Sequence, residues 1–97
     1  MRNIEVVRSF YEQRIAHSSN RNLYTRWANN FGKNRIELVN YDTVIGFIDI
    51  DKDEVHLNIS KYSSTTSTIQ TMILDMGTEY YSIYKFRLYK GDWWKWI

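Results

Sequence analysis

The chain contains no cysteine and no proline, and only four glycines among its 97 residues. Without thiols it forms neither disulfide bonds nor thiolate metal sites. Small secreted domains usually carry disulfides, so the cytoplasm is the expected location. Residues 1–5 lack the apolar stretch of a signal peptide, and no apolar run reaches the length that a membrane span needs. The sequence therefore predicts neither export nor membrane insertion.

Aromatic residues are abundant, with four Trp, eight Tyr and four Phe against three Met. Hydrophobic residues make up 43% of the chain, which excludes a disordered segment. A chain of this length buries a modest core and predicts a single domain over residues 1–97.

Charge is distributed unevenly along the chain. Residues 1–35 hold seven Lys/Arg and two acids, whereas residues 36–79 hold two Lys and eight acids. Residues 80–97 are again basic, with four Lys/Arg and one acid. This pattern predicts either an electrically uneven surface or the ordinary solvated faces of separate elements.

Apolar spacing predicts an α+β fold. Residues 3–16 and about 66–76 carry apolar side chains at helical intervals. Alternating or wholly apolar stretches predict strands at 23–27, 36–41, 43–50, 55–59, within 79–89 and at 93–97. We expect an antiparallel sheet of about five or six strands, with the N-terminal helix and the amphipathic helix packed on it.

Three local signals refine these helices. Ile4 and Ile15 fall on the predicted buried stripe of the first helix. Ser67 and Gln70 have the spacing of a capping box at the start of the second helix. Gly77 stands where a left-handed C-terminal cap is expected.

A hydroxyl-rich loop precedes the second helix. Hydroxyl donors, one ammonium group and unpaired helix amides together favour an anion site, and the alternative is that the hydroxyls only cap the helix and satisfy the loop. The candidate anion-binding residues are Lys61, Ser63, Thr65, Thr66 and Ser67.

The C-terminal stretch interleaves aromatic rings with cations. Such a pattern suits a protein interface or stacking against single-stranded nucleic acid, and its alternative is an aromatic-rich core. The candidate partner-binding residues are Trp93, Trp94, Trp96, Tyr89, Lys85, Arg87 and Lys95.

Catalytic and metal signatures are missing from the sequence. Asp49, Asp51 and Asp53 match the first three ligand positions of a calcium-binding loop. The sixth position is Glu54 where glycine is required, and the twelfth is Ser60 where a bidentate glutamate is required. The two histidines have no nucleophile-and-base pattern beside them. We therefore predict no enzyme activity, no metal and no cofactor.

Two segments of the sequence resemble those of known proteins. Residues 39–46 read V-N-Y-D-T-V-I-G, and residues 55–70 read V-H-L-N-I-S-K-Y-S-S-T-T-S-T-I-Q. They resemble a group of small phage- and mobile-element-borne proteins with a Y-x-T-x-I-A strand and a K-Y-S-x-T-T-S-x-x-Q motif. Gly46 replaces the usual alanine, and Ile69 stands where histidine is common. The resemblance covers about a third of the chain, and the group has no established activity.

The resemblance implies a phage context and a bacterial host cytoplasm. We expect a non-enzymatic binding protein that interferes with host defence, as anti-CRISPR inhibitors do. Its partner would be a bacterial protein or ribonucleoprotein, with CRISPR effector nucleases as one class. The alternative is a nucleic-acid-binding module that uses the basic and aromatic C-terminal hairpin. An exposed edge at the final strand also permits a symmetric homodimer.

Overall fold

The computed structural model of the chain describes residues 1–30 and 33–90. The elements in chain order are α1 (Asn3–Tyr11), β1 (Leu23–Asn30), β2 (Lys33–Asn40), β3 (Thr43–Asp49), β4 (Glu54–Asn58), α2 (Ser64–Gly77), a short 3-10 helix (Thr78–Tyr80) and β5 (Lys85–Tyr89). This arrangement confirms the α+β class. The predicted strand at 93–97 lies outside the described residues.

The five described strands form one sheet in the order β1-β2-β3-β4-β5. The first four run antiparallel to their neighbours, whereas β5 runs parallel to β4. The sheet is therefore mixed, and the prediction of a wholly antiparallel sheet was wrong. The reason is that α2 carries the chain back to the starting end of β4 before β5 begins, as a parallel pair requires.

Helix α1 ends at Tyr11 and not at residue 16. Gln13 has a φ of 58°, Arg14 N donates to Ser9 O over 2.8 Å, and Gln13 N donates to Phe10 O over 3.0 Å. These contacts form a Schellman ending, with glutamine where glycine is usual. Because glutamine gives no stop signal in a sequence, the early end was missed.

The buried face of α1 also differs from the predicted stripe. Val6, Val7 and Phe10 are fully buried, whereas Ile4 is 44% and Ile15 is 56% exposed. Both helices contribute to one core on a single face of the sheet. Its aliphatic centre includes Ile36, Leu38, Ile45, Ile48, Val55, Leu57, Ile69 and Ile73.

Helix α2 begins earlier than its capping-box signal indicates. Ser63 is the N-cap, and its Oγ accepts a hydrogen bond from Thr66 N. Gln70 instead donates from Nε2 to Asn58 O over 2.6 Å and to Ser60 O over 3.0 Å. The Ser67–Gln70 capping box was therefore wrong, because Gln70 fastens the preceding loop to the helix.

Candidate functional site

A groove of about 630 Å³ separates α1 from α2 on the outer side of the helical layer. Its apolar lining comprises Met1, Ile4, Met72 and Met76. These include all three methionines of the chain. Methionine is flexible and polarisable, and it is over-used on surfaces that accept varied partners. The groove is therefore the candidate functional site.

At one end of the groove, α1 and α2 pack closely against each other. Tyr11 in α1 donates from Oη to Ile73 O in α2 over 2.6 Å, and its ring stacks on Tyr80 at a centroid distance of 4.6 Å. Burial raises the pKa of Tyr11 far above its usual value. Gly77 lies beneath this contact, where an added Cβ would stand 2.8 Å from Tyr11 Oη. The small residue lets α1 approach α2.

An ion pair crosses the groove near the same end. Arg8 in α1 donates from Nη2 to Glu79 Oε2 over 3.0 Å and from Nη1 to Tyr80 Oη over 2.9 Å. The hydrogen bond to Glu79 and then that to Tyr80 raise the pKa of Arg8, which stays charged. Both side chains of the pair are partly exposed, so this contact orients the rim more than it stabilises the fold.

The rim carries charges of both signs, and most of them are already engaged, including the Met1 ammonium, which donates to Ser19 Oγ over 3.2 Å. Arg14 pairs with Glu12, Arg8 pairs with Glu79, and Glu5 pairs with Arg2. A hydrogen bond from the Arg2 backbone lowers the pKa of Glu5, which stays ionised. Asp75 lines the groove and forms no ion pair with any residue in the described part of the chain. A basic group in a partner would therefore complement Asp75.

The predicted partner-binding strand is β5, and two of its side chains are held by neighbours. Arg87 donates from Nη2 to Glu54 Oε2 over 3.3 Å, and Tyr89 Oη lies 2.7 Å from His56 Nδ1. Lys85 is exposed. The other four candidates, Trp93, Trp94, Lys95 and Trp96, lie outside the described residues.

A row of stacked groups runs across the sheet face opposite the helices. The guanidinium of Arg35 lies 4.7 Å above the Phe47 ring, and Phe47 stacks on His56 with 4.4 Å between centroids. His56 stacks in turn on Tyr89 at 5.6 Å, and its Nε2 lies 3.4 Å from Glu54 Oε1. Burial lowers the pKa of His56, against the opposing effect of Glu54. His56 is thus a packed residue of the sheet.

The hydroxyl loop is largely engaged with the protein itself. Ser63 caps α2, and buried Thr66 donates from Oγ1 to Asn40 Oδ1 over 2.7 Å. Ser67 lies half-buried within the first turns of the helix, whereas Lys61 and Thr65 are exposed. These contacts are of the capping kind, and the anion site stays a prediction.

In residues 1–30 and 33–90 no group of three or more His, Asp or Glu side chains is arranged to hold a metal ion. Neither helix in this part of the chain is long and apolar enough to cross a membrane.

Sequence reasoning missed the groove. Met72 and Met76 were assigned to the apolar stripe of α2, which is correct because Met76 is in the core and Met72 packs against it, but Ile4 was wrongly assigned to the buried stripe of α1. The available signal was the position of the chain's methionines, with Met1 just before α1 and Met72 and Met76 on α2. That signal becomes meaningful only once α1 and α2 are known to be neighbours.

Comparison of the chain with protein-family models, with curated proteins and with solved structures gives no match.

Proposed function

We propose that this chain is a non-enzymatic binding protein whose groove between α1 and α2 accepts an amphipathic helix of a partner protein. The observation that carries the proposal is the lining of the groove by every methionine in the chain together with exposed Ile4. Amphipathic helices bind such grooves by seating apolar side chains at helical intervals.

Charge specifies the partner further. Asp75 on the rim has no described ion-pair partner, while Arg8 and Arg14 are already paired. The bound helix should therefore present Lys or Arg beside its apolar face. Basic helices are common in proteins that bind nucleic acid, which agrees with a ribonucleoprotein partner.

The biological setting rests on the resemblance of residues 39–46 and 55–70 to phage-borne proteins. We propose that the chain originates from a phage or mobile element. We further propose that it inhibits a bacterial defence nuclease, in the manner of anti-CRISPR inhibitors, by occupying a helical surface. The alternative function, nucleic-acid binding by Lys85, Arg87 and the aromatic C-terminal residues, stays a prediction. The pairing of Arg87 with Glu54 does not favour it.

The methionines provide a direct test. Chain labelled with ¹³C at the methionine methyl groups gives three signals, all from the groove. Purified CRISPR effector complexes, added one at a time, should shift or broaden these signals if one of them is the partner. Ile4→Glu places a carboxylate on the apolar lining, and the cost of burying that charge should weaken the binding by about tenfold or more.

Ile83→Glu is the matched control, because Ile83 is 58% exposed and does not line the groove. It should bind like the unmodified chain. Binding that leaves all three methyl signals unchanged, or that survives Ile4→Glu in a folded protein, would contradict a role for the groove.

A further inference from the structure

A second candidate surface lies where the β2–β3 hairpin meets the start of β1 and the segment that follows α1. One depression of about 170 Å³ is lined by Arg21, Asn22, Tyr24, Tyr41 and Asp42. A second depression, of about 340 Å³, shares Arg21 and Tyr24 with the first and adds Ile15 and His17. The shared residues join the two into one surface, which we call the tyrosine–arginine surface.

Three residues of this surface have unfavourable backbone conformations. Tyr41 and Asp42, the two residues between β2 and β3, have φ values of 49° and 65°, and Arg21 has a φ of 62°. Two-residue hairpin turns with both φ values positive normally use Asn-Gly or Asp-Gly. A bulky tyrosine in this position is an outlier, and such strain is concentrated at functional sites.

The surrounding structure holds the strained turn in place. Tyr41 N donates to Asn22 O over 3.0 Å, and Asn40 Nδ2 donates to the same oxygen over 3.1 Å. The turn is therefore fixed against the segment that carries Arg21. Its effect is to present the Tyr41 side chain, 53% exposed, beside the depression.

The chemistry of the surface points to one class of ligand. Tyr41 offers an exposed aromatic ring, and Arg21 forms no ion pair with a described residue. Aromatic rings stack on unpaired bases, while arginine contacts the phosphate between them. The first depression, where Tyr41 and Arg21 meet, has no aliphatic side chain in its lining, unlike the apolar centre of a protein interface, whereas Ile15 and Ala16 line the second. Asp42 can accept a hydrogen bond from a base amine or a ribose hydroxyl.

We propose that the tyrosine–arginine surface binds a nucleotide of single-stranded nucleic acid, with its base on Tyr41 and its phosphate at Arg21. A duplex is not a ligand, since its bases are already stacked and paired. The site shares no lining residue with the groove between the helices.

The strained backbone allows an unusually clean test. Tyr41→Asn removes the ring but keeps a residue that tolerates positive φ, so the variant should fold and melt at a higher temperature. Its affinity for a short fluorescein-labelled oligo(dT), measured by anisotropy at low salt, should fall by about 5- to 150-fold, the loss for one stacked base. Tyr41→Phe keeps the ring and should bind like the unmodified chain.

Arg21→Asn tests the phosphate contact by the same logic. The salt dependence of oligo(dT) binding should become shallower by about 0.7 in the log–log slope, which corresponds to one phosphate. Two controls should leave binding unchanged: Tyr81→Asn, which removes a 62% exposed tyrosine elsewhere, and Ile4→Glu in the groove. The Ile4 control separates this proposal from the one made for the groove.

Three results would overturn the proposal. The first is the absence of oligo(dT) binding at low salt, and the second is equal affinity for single strand and duplex. The third is unchanged affinity in folded Tyr41→Asn.

Discussion

Replacing Gly77 with alanine should destabilise the protein, although the local backbone suggests the reverse. Gly77 was predicted to adopt a left-handed cap, but its φ is −56° and its ψ is −27°, which are ordinary helical values. At such a position alanine normally stabilises a helix by up to about 1 kcal/mol over glycine. The prediction therefore depends on packing.

The packing around Gly77 leaves no room for a methyl group. A Cβ would stand 2.8 Å from Tyr11 Oη and 2.9 Å from Phe86 Cε2. Tyr11 is held by its hydrogen bond to Ile73 O and by its stacking on Tyr80, so it cannot yield freely. Overpacking of this kind costs about 1–3 kcal/mol.

Two contacts below 3.0 Å place the overpacking cost in the upper part of this range, about 2–3 kcal/mol. After the gain in helix propensity, Gly77→Ala should lower the free energy of unfolding by about 1–2 kcal/mol. For a domain of this size the melting temperature should fall by roughly 5–15 °C. Urea denaturation followed by circular dichroism measures the loss. The methyl signal of Met76, the neighbour of Gly77 that lines the groove, should shift as well.

Tyr11→Phe supplies the partner for a double-mutant cycle, because it removes the Oη atom that the new methyl group would meet. The penalty of Gly77→Ala should be smaller in that background. Thr71→Ala, at an exposed position of the same helix, is the control and should be neutral or slightly stabilising. A Gly77→Ala protein as stable as the unmodified chain would refute the packing argument.

Two further predictions concern buried polar groups. Burial lowers the pKa of His56 below its ordinary value of 6.5, so its share of the stability is complete above about pH 6.5 and is lost as the pH falls through the lowered pKa. His56→Gln should flatten the fall of melting temperature between about pH 7 and pH 5, and an identical slope in the variant would contradict this origin. Thr66→Val leaves Asn40 Oδ1 without its donor and should cost about 1–3 kcal/mol. Thr65→Val, one exposed residue earlier, should cost little in the same urea titration, and equal losses would contradict the role of the buried bond.

The parts of the fold that sequence predicted are those set by local periodicity. The apolar residues of α2 repeat at helical spacing, and Val55 and Leu57 alternate with polar neighbours as a strand requires. The strand was expected to be half-buried, but His56 and Asn58 on its other face are buried as well. The parallel course of β5 was not accessible in this way, because it depends on how α2 crosses the sheet. The segment before β5 was predicted as part of a strand because tyrosine favours strands, but residues 78–80 form a 3-10 helix.

The two candidate surfaces escaped prediction for a physical reason of the same kind. Met1 and Met72 are far apart in the chain and meet only through the packing of α1 on α2. Arg21 and Tyr41 meet only because the β2–β3 turn is hydrogen-bonded to Asn22. Each residue taken alone has an unremarkable sequence context. Juxtaposition by tertiary structure is the information that a single sequence does not display.

Folding also changes what the uneven charge of the chain means. Arg8, Arg26 and Arg87 come from the basic ends of the sequence, and each pairs with a glutamate of the acidic middle: Glu79, Glu37 and Glu54, respectively. The fold thus brings opposite blocks together, so separation along the sequence overstates separation in space. Asp75 at the groove and Arg21 at the tyrosine–arginine surface form no ion pair with a described residue. Because paired charges are already satisfied, these two are better placed to attract a ligand than the arginines that dominate the composition.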